Sequence, residues 1–348
     1  MGRRPPAVAR VLERVTATAR AHEMFLPGQT ILVAVSGGPD SVCLMYSLHH
    51  LRRLFKLRLE VFHLDHELRS GSGADAEYVR AVARRLRVPF HLRTAGSAPS
   101  KGESVEAWAR TVRIRQAAEV CREIGGERIA EGHTLDDQAE TVLIALLRGG
   151  GLEALAGIEP VLGREVQPLI DLTRAEVEAF CRALHLRPRR DPTNLDTRLL
   201  RNAVRLEVIP AIERAVGRDV RATLARTASL LRRDERELRL QASAAAEALV
   251  EETPSGLDIA ANGLLGQPNA IASRVVRTAI YRMGVVPTEE AITSILDLAG
   301  GRPGRRRDLP DGLKVVRNKE YLSLSRSSPE SRERGGRDGR PGRPVRIE

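Results

Sequence analysis

The sequence predicts a doubly wound α/β domain with a mostly parallel sheet, followed by a helical linker region and a small C-terminal domain. Three observations predict it. Apolar runs rich in β-branched residues, foremost Ile31-Leu-Val-Ala-Val35, read as strands buried on both faces. Segments of helical periodicity alternate with these runs, as a parallel sheet requires. The first two runs, Ile31–Val35 and Leu57–Leu64, begin about 26 residues apart, the length of a right-handed crossover through one helix.

Residues 7–24 carry Val8, Leu12, Val15 and Ala19 on one helical face and predict a lead-in helix beside the first strand. That strand breaks at Ser36-Gly37-Gly38, where glycine permits positive φ and close approach to the backbone. Pro39 pre-sets φ for a first helical turn, and Val42–Leu54 continues the helix. A strand over 57–64, a helix over 75–86 and a short strand over 88–92 follow. Next come a helix over 104–124 with Ser104 as its N-cap, a strand over 128–132 and a helix over 136–147. Thr173 caps a helix to Leu184, Asp191-Pro-Thr-Asn194 forms a turn, and Arg201, Asn202 and Arg205 open a helix. Ala222–Ala248 is a long charged helix. Helices over 270–283 and 289–298 and strands over 314–317 and 321–324 complete the smaller domain. Residues 327–348, rich in Arg, Gly, Ser and Pro, are expected to be disordered. The expected divisions are therefore 1–215, 216–326 and 327–348.

Net charge is +11, which favours a polyanionic partner. The excess is local: residues 181–240 hold 15 Arg against 8 Asp plus Glu. Only 3% of residues are aromatic, so stacking of bases on Phe or Tyr cannot dominate an RNA contact. No apolar run approaches the ~18 residues of a membrane span, and no apolar stretch of a signal peptide follows Met1-Gly-Arg-Arg-Pro-Pro. Cys43, Cys121 and Cys181 are isolated and form no C-x-x-C, which fits a reducing cytosol; a cytoplasmic location is expected, without a membrane partner.

Strand, glycine turn and helix N-terminus together build an anion cradle from free N–H groups and the helix dipole. The hydroxyls of Ser36 and Ser41 add donors, and Asp40 is an oxygen ligand suited to Mg²⁺. The loop lacks the lysine of a Walker A motif and the glycine spacing of a Rossmann turn. A phosphate loop without that lysine fits a reaction whose leaving group is pyrophosphate. Ligands of doubly wound sheets sit beyond the carboxyl ends of the strands, so chemistry should gather after residues 35, 64 and 132. At those places stand His63-Leu-Asp65-His66 and Gly132-His133-Thr-Leu-Asp136-Asp137-Gln-Ala-Glu140-Thr141. His63 and His66 would face opposite sides of a strand, which weighs against a zinc site. Asp136 is expected to cap the helix or meet its dipole. Asp137, pointing another way, is the expected substrate contact.

Ser36-Gly-Gly-Pro-Asp-Ser41 after a buried strand resembles the signature loop of the N-type ATP pyrophosphatases, the PP-loop superfamily with its adenine-nucleotide α-hydrolase-like sheet. Further motifs follow in order: His63-Leu-Asp-His-Glu-Leu-Arg69, Ser104-Val-Glu-Ala-Trp-Ala-Arg-Thr-Val-Arg113, Gly132–Thr141, Asp191-Pro-Thr-Asn194 and Arg201-Asn-Ala-Val-Arg205. Together they resemble the tRNA(Ile)-lysidine synthetases over residues 28–235. The resemblance implies adenylation of C2 of the wobble cytidine, position 34, in the CAU-anticodon tRNA(Ile), with release of pyrophosphate. The ε-amine of free L-lysine then displaces AMP. It implies ATP contacts from Ser36, Gly37, Gly38, Pro39, Asp40, Ser41, Asp65, His66 and His133, with Asp40 on Mg²⁺. Asp40, Arg113 and Asp137 become the catalytic candidates, and Arg174, Arg201 and Arg205 the tRNA contacts. A homodimer is left open. Two departures stand out: Gln167-Pro-Leu replaces the family's usual Arg-Pro-Leu, and Glu131 stands where a small polar residue is usual. Rival readings are a 2-thiocytidine-type tRNA thiolation enzyme, which would need paired cysteines, a small-molecule ligase, and a catalytically silent RNA-binding homologue.

Overall fold

A computed structural model describes residues 4–67, 72–96, 98–99, 104–189 and 192–326. The expected disordered tail, Arg69 and Asp191 lie outside the described residues, as do the side chains of Glu106 and Asn194. The chain divides into two compact units, residues 1–232 and 233–348.

The first unit opens with α1 (Pro6–Ala21), β1 (Thr30–Ala34), α2 (Pro39–Leu51), β2 (Arg58–Asp65), α3 (Ser72–Leu86) and β3 (Phe90–Thr94). It continues with α4 (Val105–Glu123), β4 (Arg128–Ala130), α5 (Leu135–Leu147), α6 (Leu152–Leu155), β5 (Val161–Leu162), β6 (Glu165–Val166) and α7 (Arg174–Ala183). The sheet order is β3-β2-β1-β4-β6-β5, parallel throughout except for β5, which returns antiparallel to β6. β1 is central, with Val33 opposite Val61 of β2 and Ala130 of β4, which explains its unbroken apolar run. On one face Ile31 and Val33 pack with Val15 of α1, Leu44 and Leu48 of α2 and Phe180 of α7; on the other, Leu32 and Phe62 meet Trp108, Val112 and Val120 of α4. Each such side chain contributes about 1.5–3 kcal/mol by leaving water. Helices therefore cover both faces, as the sequence predicts.

Two differences have simple causes. β3 starts at Phe90 because Pro89 has no N–H for the ladder and offers only its carbonyl, to Val61 N. The β5–β6 hairpin has two residues per strand, too few for any periodicity to show.

After α7 come a 3₁₀ turn (Pro192–Leu195), α8 (Leu200–Ala203), a π-helical segment (Val204–Val208), α9 (Ile209–Val216) and α10 (Val220–Leu249). Pro210, with no N–H to donate, follows the π segment and accounts for its widened register. Val204 and Ile209 pack on Ala139 and Leu143, holding this stretch against α5.

The second unit contains β7 (Val250–Thr253), β8 (Gly256–Ala260), α11 (Ala261–Leu265), α12 (Asn269–Arg282), α13 (Glu289–Ala299), β9 (Arg306–Asp308), β10 (Leu313–Arg317) and β11 (Tyr321–Arg326). Its antiparallel sheet has the order β7-β8-β11-β10-β9. Leu257, Ile259, Val315, Leu322 and Leu324 alternate inward against Val275, Val276, Ile292 and Ile295. Among the described residues no helix is long and apolar enough to cross a membrane.

Candidate active site

The sheet order reverses direction between β1 and β4, so the crevice for a ligand opens where these two strands end. β1 runs into the glycine loop there. Gly37 has φ of +93°, the left-handed region that favours glycine. The N–H groups of Ser36 and Gly37 each donate to Ser41 Oγ at 3.2 Å, and Gly38 N–H donates to Ser36 Oγ at 3.4 Å. Two of the loop amides thus converge on one hydroxyl at the start of α2, where the helix dipole adds positive potential. His63 Nδ1–H donates to the Val35 carbonyl at 2.7 Å and pins the end of β2 to the entry of the loop. Gly132 completes the approach from β4: a Cβ there would lie 3.2 Å from the backbone C and O of Asp40. Any larger residue would push β4 away from the phosphate loop.

Asp40 sits in the first turn of α2. Burial raises its pKa to about 6, with Asp137 adding to the rise and Arg174 opposing it. Its Oδ1 is buried without a hydrogen-bond partner, and Arg174 Nη2 stands 3.6 Å from Oδ2. An unpartnered carboxylate oxygen beside a phosphate nest fits Mg²⁺, which takes one or two carboxylates together with phosphate oxygens and water. Among the described residues no group of three His, Cys, Asp or Glu is gathered for a metal ion.

Asp137 is the capping residue of α5. Its Oδ2 accepts from Thr134 N and Thr134 Oγ1, both at 2.8 Å, in a capping box. The expectation that Asp136 supplies the cap is thereby corrected: three residues beyond the N-cap is where a side chain reaches back. Asp136 instead accepts from Arg174 N at 2.8 Å and pairs with Arg221 at 3.1 Å. Asp137 keeps Oδ1 for the crevice, where Arg201 Nη2 lies at 3.0 Å. Burial raises the Asp137 pKa, but Arg201 and His133 outweigh it and hold the carboxyl below its usual range.

One helical turn on, Glu140 is 2% exposed; its Oε2 accepts from Arg201 Nε at 2.8 Å, and its Oε1 is buried without a partner. Burial, then Asp137, raises its pKa. The sequence reading did not assign Glu140 a role. The signal was available: Asp137 and Glu140, three apart, share one helix face. Arg174 and Arg201, expected to hold tRNA, stand inside this carboxylate cluster with their guanidinium groups engaged. Arg205 lies in the π-helical segment; burial, then Arg174, lowers its pKa, while Glu140, Asp137 and Asp40 act the other way.

The two departures from the family pattern meet. Gln167 Nε2 donates to Glu131 Oε2 at 3.2 Å, so the other end of the amide, Oε1, accepts from His133 Nδ1–H at 2.9 Å. His133 is thereby fixed with its proton on Nδ1. Arg113 Nε is 3.4 Å from Glu131 Oε1, an ion pair without a hydrogen bond. Burial raises the Glu131 pKa, yet Arg113 and His133 offset this and leave it lowered. Arg113 is thus balanced by a buried acid just past the end of β4. At the end of β2, Asp65 accepts from Glu67 N at 2.9 Å, and the His66 ring meets Trp108 with centroids 5.9 Å apart. Burial, then Arg113, lowers the His66 pKa.

The PP-loop domain family matches residues 9–212. A tRNA(Ile)-lysidine synthase of Symbiobacterium thermophilum is 39% identical over 92% of this chain and 70% of its own length. One from Gloeobacter violaceus is 37% identical over 86% of this chain and 91% of its own. Among solved structures, the U34-tRNA thiolase NcsA of Methanococcus maripaludis, with its [4Fe-4S] cluster, aligns with a TM-score of 0.55 at 15% identity, covering 65% of this chain and 80% of that one; this similarity extends to the fold alone. The chain belongs to the tRNA(Ile)-lysidine synthase family of PP-loop proteins.

Proposed function

We propose that this chain ligates free L-lysine to C2 of the wobble cytidine, position 34, of the CAU-anticodon tRNA(Ile), using ATP and releasing AMP and pyrophosphate. The observation that carries the reading is the meeting, at one switch point, of a lysine-free phosphate nest and an acidic helix face with an unpartnered Glu140 oxygen.

In the first step the cytidine O2 attacks the α-phosphorus, and the bond to the α,β-bridging oxygen breaks with its electron pair leaving on pyrophosphate. Catalysis here is positioning and charge neutralisation. The amides of Ser36, Gly37 and Gly38 and the Ser41 hydroxyl hold phosphate oxygens. Asp40 would hold Mg²⁺, which when bound neutralises charge on the phosphates. Arg113 orients the cytosine or the α-phosphate, and the His66–Trp108 pair, with Asp65, flanks the adenosine. In the second step the ε-amine attacks C2, and the C2–O bond breaks with its pair leaving on AMP.

A lysine side chain with a pKa near 10.4 must first lose a proton. Asp137, held ionised by Arg201, suits anchoring of the ammonium. Glu140, with its raised pKa and bare Oε1, is the better proton acceptor. A groove of about 720 Å³, lined by Asp136, Thr173, Glu213, Arg214, Arg218 and Asp219, opens beside the N-terminus of α5 and offers the exposed Arg214 and Arg218 to RNA phosphates, while Arg221 is held by Asp136 and Glu213. Together with the overall positive charge, this supports a tRNA substrate.

The thiolation rival is less well supported. Cys43 and Cys181 are neighbours in one core cluster and Cys121 is buried in another; burial pushes all three thiols up, away from the thiolate a sulfur carrier needs. Incubation with labelled ATP, lysine and unmodified tRNA(Ile) tests the proposal. AMP, pyrophosphate and lysine-labelled RNA should appear together and only with that tRNA. Turnover without RNA, or a requirement for a sulfur donor, would select a rival.

A further inference from the structure

We propose that Arg189, which the motifs leave without a role, supplies the cation that the phosphate loop lacks, binding the β- and γ-phosphates of ATP and the departing pyrophosphate. This inference rests on the ATP reading above. The loop sequence contains no lysine or arginine between Ser36 and Ser41, yet a leaving pyrophosphate carries several negative charges. The segment after α7 brings a cation from about 150 residues further along the chain. Arg189 N–H donates to the Gly37 carbonyl at 2.9 Å, which ties this segment directly to the loop backbone. Its side chain crosses the loop, with Cγ 3.6 Å from where a Gly37 Cβ would stand. This contact, together with Tyr78 and Val79 of α3 on the same side, is a second reason for glycine at 37 beyond its positive φ.

Asp75, 8% exposed near the start of α3, accepts from Arg189 Nε at 2.8 Å. That bond engages one nitrogen and leaves Nη1 and Nη2 without a hydrogen bond among the described residues, on a half-exposed side chain whose stem packs at Gly37. Two free donors on a fixed plane match two phosphate oxygens. When the α,β-bridging P–O bond breaks, its electron pair passes to pyrophosphate, and Arg189 meets that charge without transferring a proton. Asp75 acts through Arg189 as a positioning residue.

The test uses calorimetric titration of the full chain with inorganic pyrophosphate and with α,β-methylene-ATP, each with Mg²⁺, alongside steady-state kinetics. Arg189→Met keeps the stem that covers Gly37 and removes the donors. It should weaken both probes about 10- to 100-fold and raise the KM for ATP similarly, with the KM for tRNA unchanged. Arg189→Lys should recover part of the loss. Equal affinities in wild type and Arg189→Met, with only a lower unfolding midpoint, would reduce Arg189 to a structural strap and overturn the inference. A wild-type chain that binds neither probe would remove the ATP reading itself, and this inference with it.

Discussion

Asp40→Asn is expected to stabilise the ligand-free protein while abolishing its activity. The carboxyl goes from its ordinary 3.8 to about 6 on folding, mainly through burial. At 1.36 kcal/mol per tenfold change in proton affinity, keeping it charged costs about 3 kcal/mol at most. The sign follows from linkage. A carboxyl whose folded pKa is raised favours the fold while it is protonated, below pH 3.8. That advantage is lost as pH rises through the interval from 3.8 to about 6. The Asn variant should therefore match wild type near pH 4 and exceed it by about 1–3 kcal/mol at pH 7.5. Urea unfolding without Mg²⁺ across this range measures the difference. With Mg²⁺ and ATP the wild type should regain the deficit by linkage and the variant should not, while turnover falls on the order of 10²–10³-fold. A variant less stable than wild type at pH 7.5, or an increment independent of pH, would refute the view that Asp40 is a strained, metal-ready carboxylate.

Glu140→Gln should slow lysine transfer far more than adenylation, so that adenylated tRNA accumulates in a single-turnover assay; equal slowing of both steps would deny it the role of proton acceptor. Arg201→Ala leaves two buried carboxylates uncompensated and should cost ~3 kcal/mol in unfolding free energy. It should leave the salt dependence of tRNA binding unchanged, whereas Arg218→Ala should lower the log–log slope by about one. Gln167→Met breaks the chain from Glu131 to His133. Histidine NMR should then show the His133 proton no longer confined to Nδ1, with a fall in rate and, for the buried partners left unpaired, a loss of about 1–3 kcal/mol in stability. Gly132→Ala drives a methyl against the Asp40 backbone and should cost about 1–3 kcal/mol; a fully active, equally stable variant would show that β4 and the loop need not approach so closely.

Much of this was legible because the relevant signals are local. The run from Ile31 to Val35, the glycines after it and the Thr173 cap each dictate their own backbone, and the structure follows them. That a ligand crevice lies beyond the carboxyl ends of the strands was also legible, since doubly wound sheets place it there, whereas the strand order that fixes the switch point came from the structure. What could not be read were contacts between distant segments. Nothing near Gly37 announces Arg189, and nothing near Glu131 announces Gln167, because the first pair meets through the segment after α7 and the second through the pairing of β4 with β6. The split between Asp136 and Asp137 was misread for a different reason: a capping box uses the third helical residue, and Thr134, its partner, was not taken as the N-cap. Arg174 and Arg201 resemble RNA contacts by composition, yet buried acids claim them first.

The central claim is that ATP is opened at its inner anhydride to activate a nucleobase. The most direct test follows ATP labelled at both the α- and γ-phosphates during lysine incorporation into unmodified tRNA(Ile). One AMP and one intact pyrophosphate should appear for each lysine attached to the RNA. Formation of ADP and inorganic phosphate, or lysine attachment without AMP, would contradict it.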